Sequence, residues 1–83
     1  MKLLLFKISS CEQCKNQERV YKEHSINYIP CELFKNRDLA RRYGVTDVPC
    51  SVIIEEFENN AVEKFARQVT DKRTLEKIKS MIE

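Results

Sequence analysis

Leu3-Leu4-Leu5-Phe6-Lys7-Ile8-Ser9-Ser10-Cys11-Glu12-Gln13-Cys14 is the stretch that decides the fold. Four successive apolar side chains, Leu3 to Phe6, show no alternation and therefore suit a strand covered on both faces. Ser9 and Ser10 are good helix-capping residues, and the polar run Glu12 to His24 that follows holds neither Gly nor Pro. Within it Cys14, Gln17, Val20, Tyr21 and His24 fall near one face, which predicts an amphipathic helix with a sparse apolar stripe. The stretch is a strand turning into a helix, with two cysteines at the turn.

Further along, Ile26-Asn27-Tyr28-Ile29 predicts a second short strand ended by Pro30. Asn36 can cap a short helix over Arg37 to Tyr43, and Gly44, the only glycine, stands where a left-handed C-terminal residue is wanted. Val45 to Pro49 is expected to be loop and Val52-Ile53-Ile54 a strand. Asn59-Asn60 suits a tight turn, because Asn tolerates positive φ, and Val62 to Ala66 should pair back as the last strand. Thr70 or Asp71 caps a final helix in which Leu75, Ile78 and Ile82 repeat at helical spacing. The expected order is β-α-β-α-β-β-α. Its strand–helix–strand opening implies a right-handed parallel crossover, and the hairpin after Pro49 is antiparallel. The predicted fold class is α/β, a mixed four-stranded sheet flanked by three helices.

At 83 residues the chain is expected to be one domain, residues 1–83, since two halves would each lack a core. Hydrophobic residues at 42% and charged ones at 34% suit a soluble globular chain rather than a disordered one. Fifteen Lys and Arg against thirteen Asp and Glu leave +2, with the signs interleaved. Neither nucleic acid nor a membrane surface is therefore an expected partner. The start Met1-Lys2-Leu3-Leu4-Leu5-Phe6 has the flavour of a signal peptide, and Ile8-Ser9-Ser10-Cys11 loosely that of a lipoprotein cleavage site. The apolar run stops at Lys7, however, where a signal peptide needs about 7–15 such residues. Four cysteines without an export signal suit cytoplasmic thiol chemistry better than a secreted disulfide framework. The expectation is a cytoplasmic monomer.

Cys11-Glu12-Gln13-Cys14 carries the chemistry. At a strand-to-helix junction this spacing puts Cys11 on the first turn and Cys14 one turn inward, close enough for a small disulfide. Unpaired N–H groups at the helix N-terminus favour the Cys11 thiolate, so its pKa should fall below the free value of about 8.5. Cys14, covered by its own helix, is then poised to attack a mixed disulfide on Cys11. Zinc sites share the CxxC spacing, but its place before a helix in a βαβ pattern favours redox chemistry.

The order of elements, the CxxC opening the first helix, and Tyr43-Gly44-Val45-Thr46-Asp47-Val48-Pro49 together resemble the thioredoxin/glutaredoxin superfamily over nearly the whole chain. The resemblance implies a thioredoxin fold in which Pro49 is a cis-proline facing the two sulfurs. Val48 would then offer backbone groups to a bound peptide or glutathione, like an added strand. Cys11 and Cys14 would be catalytic, and Ser10, Glu12 and Gln13 would join Val48 and Pro49 in contacting substrate. No bound cofactor is expected. The redox-active Cys11–Cys14 disulfide would draw electrons from a thioredoxin-reductase-type donor or from glutathione.

The sequence also departs from both branches of that superfamily. Ser10 stands where thioredoxins usually have Trp, and the first strand has no buried Asp. Glu12-Gln13 is neither Gly-Pro nor Pro-Tyr. Ile8 occupies the glutaredoxin lysine position, with Lys7 one place too far. Arg67-Gln68 replaces the Gly-Gly pair that lets glutathione's carboxylate approach the backbone, while Thr70-Asp71 matches the pair that holds its amino end. Protein disulfides are thus the expected substrates, with glutathione mixed disulfides as the alternative. A metal-binding thiol module is the third reading. Cys31 and Cys50 are unpaired in sequence, and both are expected to be buried thiols. Lys7 and Lys15 would favour the Cys11 thiolate, and Glu12 would oppose it.

Overall fold

The Leu3–Phe6 run lies at the centre of the sheet. The structure, a computed structural model, describes residues 1–83. In it β1 (Lys2–Lys7) pairs in parallel with β2 (Ile29–Glu32) on one side and antiparallel with β3 (Cys50–Ile54) on the other. The last strand, β4 (Ala61–Phe65), pairs antiparallel with β3, giving the order β2-β1-β3-β4. Helix α1 (Glu12–Glu23) joins β1 to β2, α2 (Arg37–Arg42) precedes β3, and α3 (Lys72–Ile82) ends the chain. A single 3₁₀ turn, Leu33–Lys35, between β2 and α2 is the one element that the sequence did not suggest.

A central strand with helices on both faces must be apolar on both, and β1 is. Leu3 and Leu5 enter one cluster with Val20, Tyr21 and Ile26 and with Val69, Leu75 and Ile78. Leu4 and Phe6 point the other way, into a cluster with Cys31, Ala40, Tyr43, Val45, Cys50 and Val52. Alternation along one strand thus feeds two separate cores.

The second strand begins later than its apolar residues suggest. Ile26 is buried, but it belongs to the end of α1: Ser25 takes φ 56°, and the Ile26 N–H returns to the Tyr21 carbonyl at 2.9 Å. The strand then starts at Ile29 and runs through Pro30 rather than ending there. Proline lacks an N–H to give to a ladder, and β2 is an edge strand, where that loss is tolerated. The end of α2 uses the same geometry. Gly44, at φ 66°, lets the Val45 N–H reach the Ala40 carbonyl at 2.8 Å. Asn36 stands at the start of α2 but does not cap it, because its side-chain amide donates instead to the Glu32 carbonyl at 2.8 Å. Asp71, not Thr70, caps α3, accepting the Thr74 N–H at 3.0 Å. Asn59 supplies the positive φ of the β3–β4 connection at 58°.

Polar anchors fix α1 over the sheet. The fully buried Gln17 amide behaves like a strand neighbour to Val69. Its Nε2 donates to the Val69 carbonyl at 2.9 Å and its Oε1 accepts the Val69 N–H at 2.5 Å. Tyr21 shares a 2.6 Å hydrogen bond with the buried Ser51 hydroxyl. Glu18 accepts from Lys7 Nζ at 2.7 Å and from the Tyr28 hydroxyl at 2.7 Å, tying the helix to the end of β1. Burial pushes the Glu18 carboxyl up, but the Lys7 and Tyr28 hydrogen bonds and the Lys7 charge outweigh it and leave its pKa below the usual 4.5. The same burial and the Glu18 carboxylate hold the Tyr28 hydroxyl well above its usual range.

Two stability measurements follow from these anchors. Gln17→Ala strands the buried N–H and carbonyl of Val69 and should cost about 2–3 kcal/mol in urea unfolding. A lowered carboxyl pKa stabilises the fold at pH above 4.5, and that gain is lost as the pH falls through the folded-state value. Glu18→Gln should therefore cost about 1 kcal/mol at pH 7, with a deficit that shrinks on acidification below pH 4.5. A deficit that stayed constant down to pH 2 would exclude the ionic role.

Candidate active site

Where β1 gives way to α1, the chain needs an acceptor for the free N–H groups of the helix, and a sulfur supplies it. Cys11 is the N-cap residue, with extended φ −87° and ψ 111°, and its Sγ accepts the Cys14 N–H at 3.0 Å. Cys11 and Cys14 form a disulfide across Cα atoms 5.2 Å apart. Their surroundings are unequal. Cys11 is half-buried, whereas Cys14 is completely covered.

The charges near the motif are already paired. Lys15 and Glu12 face each other at 3.5 Å on the exposed first turn, so their opposing effects on Cys11 largely cancel. Lys7 is held by Glu18. The feature left to favour an anionic sulfur is the N-terminus of α1 itself.

The Val48–Pro49 peptide bond is cis. Pro49 is buried and Val48 half-buried, and Cys50, which follows, pairs with Phe6 in the sheet. Phe6 is five residues before Cys11. The cis bond and the disulfide therefore leave adjacent strands at the same end of the sheet. Ser10, Glu12 and Gln13 are exposed around the sulfurs, so every expected site residue lies at this end.

Cys31 and Cys50 are free thiols buried on the α2 face of the sheet, each paired through the backbone with Phe6. Burial pushes both thiols up. For Cys50 the nearby Lys64 works against that shift and Asp47 adds to it. No group of three or more His, Cys, Asp and Glu side chains stands close enough to hold a metal ion.

Residues 67–71 are held by several internal hydrogen bonds. Arg67 donates to the Gln68 carbonyl at 2.9 Å, and the Gln68 side chain accepts from Asn16 of α1 at 2.7 Å. Asp71 is occupied as the α3 cap, and the Thr74 hydroxyl and N–H hold its carboxyl below the usual range, with Arg67 at 3.6 Å. The Asn16–Gln68 and Gln17–Val69 links escaped the sequence reading because their partners are 52 residues apart. A cavity of about 190 Å³, lined in part by Lys2, Leu3, Tyr28 and Ile82, opens at the start of β1, remote from the sulfurs. No helix is long and apolar enough to cross a membrane.

No family model and no curated protein matches the chain. Solved structures do. Thioredoxin 1 from Thermosipho africanus superposes with a TM-score of 0.71 at 21% identity, over 99% of this chain and 94% of that one. A mutant thioredoxin from Halobacterium salinarum gives 0.79 at 24% identity, over 98% and 74%. The thioredoxin Deadhead from Drosophila melanogaster gives 0.72 at 22%, over 98% and 79%. The mixed four-stranded sheet, its three helices and these superpositions together give the chain the thioredoxin fold.

Proposed function

We propose that the chain is a thiol–disulfide oxidoreductase that reduces protein disulfides through Cys11 and Cys14. The observation that carries this reading is the asymmetry of the two sulfurs: one reachable at a helix N-terminus, the other covered directly behind it. In the dithiol form, the Cys11 thiolate attacks one sulfur of the substrate disulfide. A mixed disulfide forms and the first substrate thiolate leaves. The Cys14 thiolate then attacks Cys11 Sγ, the second substrate thiolate leaves, and the Cys11–Cys14 disulfide is restored. Two electrons from a thioredoxin-reductase-type donor or from glutathione regenerate the dithiol.

Throughout this cycle the α1 N-terminus stabilises negative charge on Cys11, and burial keeps Cys14 away from everything except the mixed disulfide. Val48 and Pro49 supply the wall opposite the sulfurs, against which an extended substrate segment lies. Ser10, Glu12 and Gln13 form the exposed rim. Protein substrates are favoured over glutathione because Arg67 and Gln68 fill the place of the glycine pair and are themselves hydrogen-bonded. The expected setting is a cytoplasmic monomer.

Cys14→Ser should accumulate substrate as a mixed disulfide on Cys11, visible by mass spectrometry and released by dithiothreitol. Cys11→Ser should lose disulfide reduction altogether, as read from insulin turbidity. Full activity in Cys11→Ser would overturn the assignment of roles. Turnover with glutathione and glutathione reductase but none with thioredoxin reductase would move the substrate class to glutathione mixed disulfides.

A further inference from the structure

A groove opens on the α2 face of the sheet. It is lined by Leu33 and Phe34 of the 3₁₀ turn, by Arg37, Ala40 and Arg41 of α2, and by the Gly44–Thr46 segment, and it encloses about 420 Å³. Two of its walls continue from the reactive end of the sheet. Leu33 follows Glu32, which pairs with Lys7 at the end of β1, and Thr46 lies three residues before Pro49.

The lining has a distinct chemistry. Phe34 is 58% exposed, and the Arg37 guanidinium lies over its ring at 5.6 Å from the centroid. Arg37 has no carboxylate partner. Arg41 has only Asp38, at 3.8 Å and fully exposed, which is a weak restraint. Residues 33–46 hold four cations (Lys35, Arg37, Arg41 and Arg42) against the single carboxylate of Asp38, a net +3 in a chain whose total is +2. Arg42 lies outside the lining and donates to the Glu58 carbonyl at 3.0 Å, so the groove offers anions Arg37 and, beyond its exposed contact with Asp38, Arg41.

We infer that this groove docks an acidic segment bearing one aromatic or large aliphatic side chain, carried by the disulfide-bonded proteins that the chain reduces. The inference rests on the proposed oxidoreductase function and specifies its substrates. The apolar side chain fits between Phe34, Leu33 and Val45, and carboxylates on either side meet Arg37 and Arg41. Docking there holds the substrate at the end of the sheet from which the Cys11–Cys14 turn emerges. The chain's own turn has the complementary chemistry, with Phe57 95% exposed between Glu56 and Glu58. That turn is tied down by Arg42 and by Tyr43, whose hydroxyl donates to the Asn59 carbonyl at 2.5 Å. It also carries no disulfide, so a second copy docked through it would bring nothing to Cys11.

The test uses two peptide disulfides that differ only beside one cysteine, where one carries two glutamates and a phenylalanine and the other two lysines and a phenylalanine. With dithiothreitol as reductant, kcat/KM should favour the acidic peptide roughly five- to tenfold at low ionic strength, and 0.5 M salt should remove the preference. Arg37→Glu with Arg41→Glu should abolish or invert it. The gentler Arg37→Gln with Arg41→Gln should reduce it, which guards against a folding defect. Equal rates for the two peptides, or a preference that survives both double variants, would overturn the docking site. So would self-association of the wild-type chain that Phe57→Ala dissolves, because the groove would then belong to a second copy. Failure of the parent reading looks different. A chain that binds a cysteine-free acidic peptide in fluorescence anisotropy yet cannot reduce insulin would overturn the oxidoreductase activity and not the docking.

Discussion

One atom closes the helix and, on the proposed function, does the chemistry. The N-cap of α1 is a sulfur, Cys11 Sγ, accepting the Cys14 N–H at 3.0 Å. A hydroxyl or carboxylate would satisfy the same N–H groups, but neither is a leaving group or a nucleophile of comparable use near neutral pH. Placing a thiol there makes the structural demand of the helix and the chemical demand on the nucleophile the same demand. The N–H groups that need an acceptor are those that favour a thiolate. The helix N-terminus and the sulfur thus stabilise one another, and the rest of the fold holds this turn in place.

Holding it still is not trivial in a chain of 83 residues, whose folding buries only about 60–65% of its extended surface. Apolar packing on each side of β1 positions the strand. Being non-directional, it specifies the register of α1 less sharply than hydrogen bonds do. The directional bonds settle the register. Gln17 to Val69 and Asn16 to Gln68 lock the middle of α1 to the segment before α3, while Glu18 to Lys7 locks it to the strand that feeds Cys11. All three follow within about one turn of Cys14. The polar bonds set the sulfurs' position, and the apolar clusters give the scaffold its strength.

The split explains what the sequence disclosed. The β1–α1 turn, α3, the Gly44 bend, the Asn59 turn and the two-sided sheet are local or periodic features, and each is written in adjacent residues. Ser25 shows the limit. It closes α1 with the same backbone as Gly44 closes α2, but without glycine's signature, and Ile26 consequently looked like strand when it is the residue that ends a helix. Pro30 looked like a terminator because nothing local says that β2 is an edge. Gln17 falls on the apolar stripe of α1, but nothing near it or near Glu18 names what they bind, because their partners lie elsewhere in the chain. Reactive residues could be named early because their spacing is short. The contacts that orient them could not.

The same bonds bear on recognition. In the glutaredoxin pattern a glycine pair after the last strand leaves bare backbone beside the active site, open to a glutathione carboxylate. Here Arg67 and Gln68 stand in that place, the Arg67 side chain donates to the Gln68 carbonyl, and Gln68 also braces α1 through Asn16. A segment that braces α1 in this way is less free to adapt to a small ligand. On the proposed function, recognition would fall to the opposite face of the sheet, where Arg37 of α2 lies over the exposed Phe34 ring and Arg41 has only the exposed Asp38 as a partner. Charges there act at long range and are cheap to keep hydrated, so they suit an extended, flexible partner better than a small rigid one. Bracing one face and charging the other are the two arrangements that the proposed reduction of protein disulfides would ask of a minimal scaffold.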